Sequence, residues 1–341
     1  MTAPAPPPPP PPLLRVRDLR VAFPGGPRGP VRAVNGVDLD LARGETLCLL
    51  GESGSGKSVT LRALMRLHPR RAQVSGRVEV EGRDVNAMRP REVEDLRGRA
   101  VAMIFQEPAT ALDPVFTVGE QIAEAVRRHE GADRAAARRR ALELLERVQV
   151  PSAARRLDAH PHELSGGLRQ RAMIAVALAA RPRLLLADEP TTALDATVQI
   201  GVLLLLRRLQ AELGMGVVFV THDLGVAGEV ADRVAVMYAG RVAEEGPVGA
   251  LLADPLHPYP RGLLAATVRP EMRGRRLGTI PGAPPPLDDL PPGCPFAPRC
   301  PLAVAPCLAG DPPLVRPAPE RAARCLRAGE TAEVARAAAA A

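Results

Sequence analysis

The chain of 341 residues contains no tryptophan, two tyrosines and five phenylalanines, so aromatic residues make up only 2% of it. Its hydrophobic content of 46% must therefore form a core from leucine, valine and alanine. Lysine is scarce as well, since Lys57 is the only lysine among 45 lysine and arginine residues. The net charge is +7, but the one run of positive charge, Arg138 to Arg140, has no aromatic neighbours, which argues against a nucleic-acid partner.

Long hydrophobic runs are also missing. The most apolar stretches, IGVLLLL and MIAVALAA, are shorter than the roughly 18 residues that a membrane-spanning helix needs. The N-terminal MTAPAPPPPPPP has neither the charged nor the apolar part of a secretory signal. We therefore expect a cytoplasmic protein whose five cysteines form no disulfides. We expect disordered tails over the proline-rich residues 1–12 and the alanine-rich residues 331–341.

Strand and helix patterns alternate along the chain. LLRVRDLRVAF and VNGVDLDL alternate as half-exposed strands do, whereas TLCLL, VAMIF, RLLLAD and GVVFVTH are apolar runs typical of buried parallel strands. Helical patterns include residues 118–148 and ATVQIGVLLLLRRLQAEL. This order predicts an α/β protein. After Gly246 the sequence becomes rich in proline and holds four of the five cysteines, which predicts a small module stabilised by something other than a core.

Gly51-x-x-x-x-Gly56-Lys57-Ser58 has the spacing of a Walker A loop between a buried strand and a helix. Its backbone N–H groups and the helix N-terminus would face phosphates. Lys57 would reach the β- and γ-phosphates as a compact point charge, which the broad guanidinium of arginine does not match. The alternative is a glycine-rich turn with a surface lysine. We predict that the nucleotide is bound by Gly51, Ser53, Gly54, Ser55, Gly56, Lys57, Ser58 and Val59.

Two acidic residues follow the buried strand of RLLLADEP, and the carboxyl ends of parallel strands are where ligands bind. Asp188 would hold Mg²⁺ together with Ser58, and Glu189 would polarise an attacking water. The alternative is an acidic pair that caps a proline turn. Gln106 and His222 end two further strands, and His222 would contact the γ-phosphate or be an ordinary core histidine.

The stretch LSGGLRQR, from Leu164 to Arg171, identifies a family when it is combined with the other motifs. With GESGSGKS, IFQEP, LLLADEP, ALD at Ala193 to Asp195 and THD at Thr221 to Asp223, it resembles the ATP-binding-cassette (ABC) ATPases over residues 13–330. GESGSGKSVT, MIFQEPATALDPVFTVGEQI and HPYPRGLLAA resemble the dipeptide/oligopeptide/nickel importer ATPases. Because valine follows the Walker A serine, the chain is similar to the D type of these subunits.

The resemblance implies a particular domain order. A RecA-like P-loop core would cover residues 13–106 and 180–245, and a helical subdomain with the signature motif would cover residues 107–179. An oligopeptide-transporter-type extension with four cysteines would cover residues 246–330. Two such cassettes would form a head-to-tail sandwich with two ATP molecules between them.

The resemblance also implies roles for individual residues. Ser165, Gly166 and Gly167 would contact the γ-phosphate bound by the partner cassette, again through a helix N-terminus. Phe23 would stack on adenine, and Asp195 would make contact across the dimer interface. Gln106 would bind Mg²⁺ and couple the site to the membrane subunits, and it would act in catalysis with Glu189 and His222.

The implied activity is ATP hydrolysis that powers uptake of di- or oligopeptides, or of a related solute such as nickel, with ATP and Mg²⁺ as ligands. The implied partners are a second, F-type ATPase, two transmembrane permease subunits and, indirectly, an extracytoplasmic solute-binding protein, with the chain at the cytoplasmic face of the membrane. One alternative is a soluble cassette acting on ribosomes or nucleic acid, although the chain has one cassette and no coiled-coil insert. The other is a non-hydrolysing regulatory cassette, against which Glu189 and His222 argue.

Four cysteines lie close together in the proline-rich region, namely Cys294, Cys300, Cys307 and Cys325. In a cytoplasmic protein they indicate a metal rather than disulfides. Their spacing differs from the paired cysteines of a zinc ribbon, and four thiolates suit an iron–sulfur cluster. The extension resembles that of peptide-importer ATPases, some of which carry a [4Fe–4S] cluster. We favour the cluster, with zinc and no metal as the alternatives. Cys48, inside a strand, is expected in the core.

Overall fold

The computed structural model describes residues 11–192, 194–267, 278–328 and 330. Most of the expected N-terminal tail, the whole expected C-terminal tail and Ala193 lie outside these residues. Within the described ranges, every helix is too short or too polar to cross a membrane.

An antiparallel sheet forms from the half-exposed strands near the N-terminus. Strand β1 pairs with both β2 and β4. Along β1 the side chains of Leu14 and Val16 are buried, whereas Arg15 and Arg17 are exposed, so one face packs on the core. The strands stand in the order β2–β1–β4–β5, with the bounds β1 Leu14–Gly26, β2 Gly29–Leu41, β4 Gln73–Val80 and β5 Arg83–Asp84.

A second sheet carries the predicted nucleotide loop. Its order is β11–β12–β10–β9–β3–β8–β7–β6. Every residue of β3, β6, β7 and β8 is buried, which explains their continuous apolar sequences. Five strands run parallel, namely β3 Thr46–Leu50, β6 Val101–Ile104, β7 Leu184–Asp188, β8 Gly216–Thr221 and β9 Arg233–Tyr238.

The remaining three strands of this sheet are antiparallel, namely β10 Arg241–Pro247, β11 Leu314–Ala318 and β12 Arg321–Arg324. Strand β12 pairs with β10 where Ala323 faces Glu244. The proline-rich region after Gly246 is therefore less separate than its composition predicts, because backbone hydrogen bonds join its hairpin to the edge of the core sheet.

Six of the described α-helices begin at a polar N-cap side chain that accepts a hydrogen bond from the first turn. Thr117 accepts a hydrogen bond from the backbone N–H of Glu120, and the Glu120 carboxylate accepts one from the N–H of Thr117. The helices are α1 Lys57–Leu64, α2 Pro90–Arg99, α3 Pro108–Ala111, α4 Val118–Glu130, α5 Arg134–Arg147, α6 Ala153–Arg156, α7 Gly166–Leu178, α8 Ala196–Leu213, α9 Leu224–Val230, α10 Val248–Ala253, α11 Pro258–Ala265 and α12 Ala305–Ala309.

Two hydrophobic clusters fill the interior. One packs α4, α5, α7 and α8 against one face of the parallel strands, and the other lies between the two sheets. Their side chains are mostly leucine, valine and alanine, as the shortage of aromatics requires. Helices α3 to α7 belong to the predicted helical subdomain, whose boundaries stay a prediction.

Candidate nucleotide site

The loop from Gly51 to Gly56 joins β3 to α1 and folds around Lys57. The Lys57 side chain is almost fully buried, at 4% exposure. Its Nζ donates hydrogen bonds to the carbonyl oxygens of Gly51 at 2.7 Å and Glu52 at 2.9 Å. Burial lowers the pKa of Lys57, because it disfavours the charged form. An entering phosphate would give this ammonium a stronger partner than two carbonyls.

Two glycines of this loop are required because other backbone passes close to them. A Cβ on Gly51 would lie 2.3 Å from the carbonyl oxygen of Met237, and one on Gly56 would lie 2.3 Å from that of Ala33. Gly56 also has a φ of +100°. Gly54 has a φ of +78°, but a Cβ there would meet nothing within 4 Å. The loop is therefore held between β2 and the end of β9.

The other predicted loop residues differ in exposure. Ser53 and Gly54 are exposed at the tip of the loop. Ser55 is buried, and its Oγ has no hydrogen-bond partner among the described residues. Val59, in the first turn of α1, packs partly against the core.

Ser58 and Asp188 meet beside the loop. Ser58 Oγ donates a hydrogen bond to Asp188 Oδ1 at 2.7 Å. The other oxygen, Oδ2, is buried without a hydrogen-bond partner in the described part of the chain. Burial raises the pKa of Asp188. Mg²⁺ takes oxygen ligands and often a carboxylate among them, so the hydroxyl and the unpaired carboxylate oxygen fit the predicted ion.

Three side chains surround the carboxylate of Glu189. His222 Nδ1 lies 3.3 Å, Gln106 Nε2 3.4 Å and Thr192 Oγ1 2.9 Å from the same atom, Glu189 Oε2. The main chain of Glu189 has a φ of +44°, and its N–H donates to the carbonyl oxygen of Val220. The structure thus brings the three predicted catalytic residues together. The left-handed backbone of Glu189 at the end of β7 is a local strain of the kind found at functional sites.

Thr192 is the contact of Glu189 that the sequence analysis missed. It lies three residues after Glu189, and the backbone N–H of Thr192 donates to the Glu189 carbonyl oxygen in the turn after β7. A threonine in the stretch DEPTT could have been proposed from this spacing alone. His222 has a side chain 54% exposed, so this side of Glu189 is open to solvent.

The signature residues lie elsewhere. Ser165 caps α7, and Ser165 and Gly166 are exposed. A Cβ on Gly167 would lie 2.5 Å from Val198 Cγ1, so Gly167 allows α7 and α8 to pack closely. Among the described residues, no hydrogen bond joins these three to the loop at Gly51. Asp195 caps α8 by accepting a hydrogen bond from the N–H of Val198 at 3.0 Å.

Phe23 lies on β1 opposite Val31, half-buried against the core cluster between the sheets. Its predicted contact with adenine stays a prediction. Cys48 is fully buried in β3, where a core residue was expected.

The four clustered cysteines line one small cavity of the C-terminal extension, and the structure contains Cys294, Cys300, Cys307 and Cys325 as free thiols. Cys300 Sγ accepts a hydrogen bond from the N–H of Leu302, and Cys325 Sγ from the N–H of Arg327. Burial raises the pKa of Cys325 to about 11. Across the described ranges, no three His, Cys, Asp or Glu side chains form a group that could hold a metal ion.

Comparison with known proteins places these features in a family. Residues 34–192 match the family model described as ABC transporter, and residues 243–307 match the model of the oligopeptide/dipeptide transporter C-terminal region. A "Putative peptide import ATP-binding protein" of Brucella melitensis biotype 1 is 49% identical over 333 residues, covering 94% of this chain and 98% of the relative. One of the same description from Brucella abortus (strain 2308) is 49% identical over 314 residues, covering 92% and 94%.

Solved structures agree with this result. The dimeric ATP-binding cassette MJ0796, bound to ADP and Pi, is 31% identical with a TM-score of 0.62, covering 69% of this chain and 98% of that one. The protein cbiO1 from Clostridium perfringens, part of an ABC transporter complex, is 26% identical with a TM-score of 0.60, covering 71% and 91%. The ABC ATPase fold predicted from the sequence is confirmed. The chain therefore belongs to the ABC transporter ATPases, among those that carry the oligopeptide/dipeptide transporter C-terminal region.

Proposed function

We propose that this chain hydrolyses ATP to power the uptake of di- or oligopeptides through an ABC importer. The observation that supports hydrolysis most strongly is the meeting of His222 and Gln106 at one carboxylate oxygen of Glu189. A cassette that only bound ATP would have no need of a carboxylate held in this way. The peptide cargo rests on the matched C-terminal region and on the names of the Brucella relatives.

In the proposed mechanism, Lys57 leaves the carbonyl oxygens of Gly51 and Glu52 and binds the β- and γ-phosphates of ATP. Ser58 and Asp188 would hold Mg²⁺, which neutralises part of the phosphate charge. The largest contribution to catalysis would be electrostatic stabilisation of the transition state by groups that are in place before the reaction starts.

Glu189 would then orient a water molecule and accept its proton as the water attacks the γ-phosphorus, while the bond from that phosphorus to the oxygen of the leaving ADP breaks. His222, Gln106 and Thr192 surround Oε2, so they would fix the direction of the carboxylate. Loss of the γ-phosphate removes the charge that Lys57 and the signature residues bind, and the cassettes would separate.

A second cassette is part of this proposal. In the described part of the chain, the signature residues Ser165, Gly166 and Gly167 make no hydrogen bond to the loop of their own chain, and Ser165 and Gly166 are exposed. The related cassette MJ0796 is dimeric with ADP and Pi. We infer that a second ATPase subunit, of a different chain, supplies the signature residues that would contact the ATP bound at this chain's loop. Two permease subunits and a solute-binding protein would complete the importer, with this chain peripheral at the cytoplasmic face of the membrane.

We further propose that the four cysteines hold a [4Fe–4S] cluster. They line one cavity, and backbone N–H groups donate to two of the sulfurs, as in known cluster sites. A single zinc ion, which binds four thiolates at about 2.3 Å each, is the alternative ligand. In a cluster each thiolate binds a different iron, so the sulfurs stand farther apart.

Uptake of a labelled dipeptide by cells that lack the gene tests the function. Wild-type protein should restore ATP-dependent uptake, and a variant with Glu189→Gln should not. In purified form, the chain should hydrolyse ATP slowly alone and faster with the second ATPase subunit. Uptake that is equal with and without the gene would contradict the proposed cargo, and fast hydrolysis that does not depend on protein concentration would contradict the shared site.

A further inference from the structure

Glu52 is the second residue of the phosphate-binding loop, and its side chain is held by the C-terminal extension. Arg299 Nη1 donates to Glu52 Oε2 at 2.9 Å, and Arg299 Nη2 donates to Glu52 Oε1 at 3.2 Å. This two-pronged geometry matches the planar guanidinium to the carboxylate and is the stronger form of an ion pair. The Arg299 side chain is only 5% exposed, so water screens the pair weakly.

Other contacts fix the position of Arg299. Its Nε donates to the carbonyl oxygen of Pro281 at 2.9 Å, and its Nη1 also donates to the hydroxyl of Tyr238 at 3.2 Å. The guanidinium carbon lies 5.8 Å from the centre of the Tyr238 ring. Arg299 therefore reaches Glu52 from a position that the extension and β9 define together.

The backbone of Glu52 is held as well. Its N–H donates to the hydroxyl of Tyr259 at 2.9 Å, and Tyr259 is completely buried. The Tyr259 ring packs against Tyr238 and Phe296, with ring centres 4.6 and 5.4 Å away. Side chain and main chain of one loop residue are thus both bonded to groups of the extension, Arg299 and Tyr259.

The same extension contacts the hairpin that carries the predicted adenine contact. The N–H of Arg32 donates to the carbonyl oxygen of Leu287 at 2.9 Å, and Arg28 pairs with Asp289. Arg28 and Arg32 belong to the β1–β2 hairpin, in which Phe23 faces Val31. The extension therefore supports the proposed nucleotide site at both its phosphate and its base end.

A glutamate in a loop that binds polyphosphate poses an electrostatic problem. Its charge repels the phosphates over a short distance, and the side chain is only 28% exposed, so screening is incomplete. The bidentate contact from Arg299 cancels that charge and turns the carboxylate toward the extension. Without Arg299 the loop would carry an unpaired negative charge beside its ligand.

We propose that Arg299 is a positioning residue for ATP: by neutralising Glu52, it allows the loop to bind phosphate. This inference rests on the proposed nucleotide site. It gives the C-terminal extension a direct part in nucleotide affinity, through a contact that the loop sequence does not reveal.

The test measures the Kd of the Mg²⁺ complex of the non-hydrolysable analogue AMP-PNP for the full chain. Arg299→Met should raise the Kd by about tenfold or more, because removing the guanidinium leaves the Glu52 carboxylate unpaired beside the ligand. Glu52→Gln combined with Arg299→Met should return the Kd to within about threefold of wild type, because no unpaired charge is left. A purely structural contact would show no such rescue.

Arg321→Met is the matched control. Arg321 also belongs to the extension and also donates to a buried glutamate, Glu244, at 3.0 Å, but that glutamate is on β10 and not in the loop. Its loss should lower the melting temperature without raising the Kd. An Arg299→Met protein that binds as wild type does, or a double variant as weak as Arg299→Met, would overturn the inference. If the wild-type protein itself failed to bind AMP-PNP, that result would instead contradict the proposed function.

Discussion

The hydroxyl of Tyr259 accepts a hydrogen bond from the backbone N–H of Glu52 at 2.9 Å, which joins the C-terminal extension to the phosphate-binding loop. The only other tyrosine, Tyr238, lies 4.6 Å away between ring centres, and the chain has no tryptophan. Both intrinsic fluorophores of the protein therefore lie beside the proposed nucleotide site.

We expect tyrosine fluorescence to change when the Mg²⁺ complex of AMP-PNP binds, because Lys57 must release the carbonyl oxygen of Glu52 to reach phosphate. The Tyr238→Phe protein should retain the change, since Tyr259 keeps its bond to the loop. The Tyr259→Phe protein should lose most of it. A titration at constant protein concentration measures the effect, and equal changes in both variants would contradict the assigned contact.

Gly54 and Gly56 allow a matched comparison within one loop. Both have a positive φ, but only a Cβ at Gly56 would come within 2.3 Å of a carbonyl oxygen, that of Ala33. Gly54→Ala should cost about 1–2 kcal/mol of stability, the cost of left-handed backbone. Gly56→Ala should cost clearly more and abolish AMP-PNP binding. Thermal unfolding of the two proteins measures the difference, and equal melting temperatures would be inconsistent with this packing.

His257 should make the protein sensitive to acid. Burial lowers its pKa from 6.5 to about 3, and its Nδ1 accepts a hydrogen bond from the N–H of Tyr259 at 3.0 Å. The unfolded chain takes up a proton near pH 6.5 and the folded chain only near pH 3. The contribution of His257 to the free energy of unfolding is thus complete above pH 6.5 and is lost as the pH falls toward 3.

His257→Asn keeps an acceptor for the N–H of Tyr259 but does not titrate in this range. Between pH 7 and pH 5, wild type should therefore lose about 2 kcal/mol more of its free energy of unfolding than the variant. Urea unfolding at the two pH values measures this difference. The same pH dependence in both proteins would show that the imidazole is not held neutral.

The cysteine cavity makes a prediction about metal content. Protein purified without oxygen should be brown and contain about four irons and four sulfides per chain. Cys300→Ser should lose most of this iron, whereas Cys48→Ala, which changes a cysteine buried in β3, should keep it. Iron, sulfide and zinc analysis decides the matter, since a colourless protein with one zinc, or with no metal, excludes the cluster.

The sequence signals for the proposed nucleotide site are local. The loop from Gly51 to Ser58 combines a fixed spacing with a buried strand and a helix, and the helix expected from ATVQIGVLLLLRRLQAEL extends over Ala196–Leu213. Glu189, His222 and Gln106 could be placed together because each follows a strand, and the carboxyl ends of parallel strands share one edge.

Features that depend on distant contacts could not be predicted. Glu52 and Arg299 are 247 residues apart, and nothing near either residue indicates its partner. The strands β11 and β12 have the sequences LVRPA and RAAR, which lack an alternating apolar pattern. Only the pairing of β12 with β10, and of β11 with β12, defines them as part of the sheet. Their contacts explain why the extension is joined to the core more closely than its composition suggests.

The central claim is that Glu189 catalyses ATP hydrolysis in this chain, and the steady-state ATPase rate of Glu189→Gln tests it most directly. The control is Glu143→Gln, which removes an exposed carboxylate paired with Arg140 on the surface. We predict that Glu189→Gln lowers kcat by about 10²-fold or more while AMP-PNP still binds, and that Glu143→Gln leaves the rate unchanged. A Glu189→Gln protein that hydrolyses ATP as fast as wild type would contradict the account.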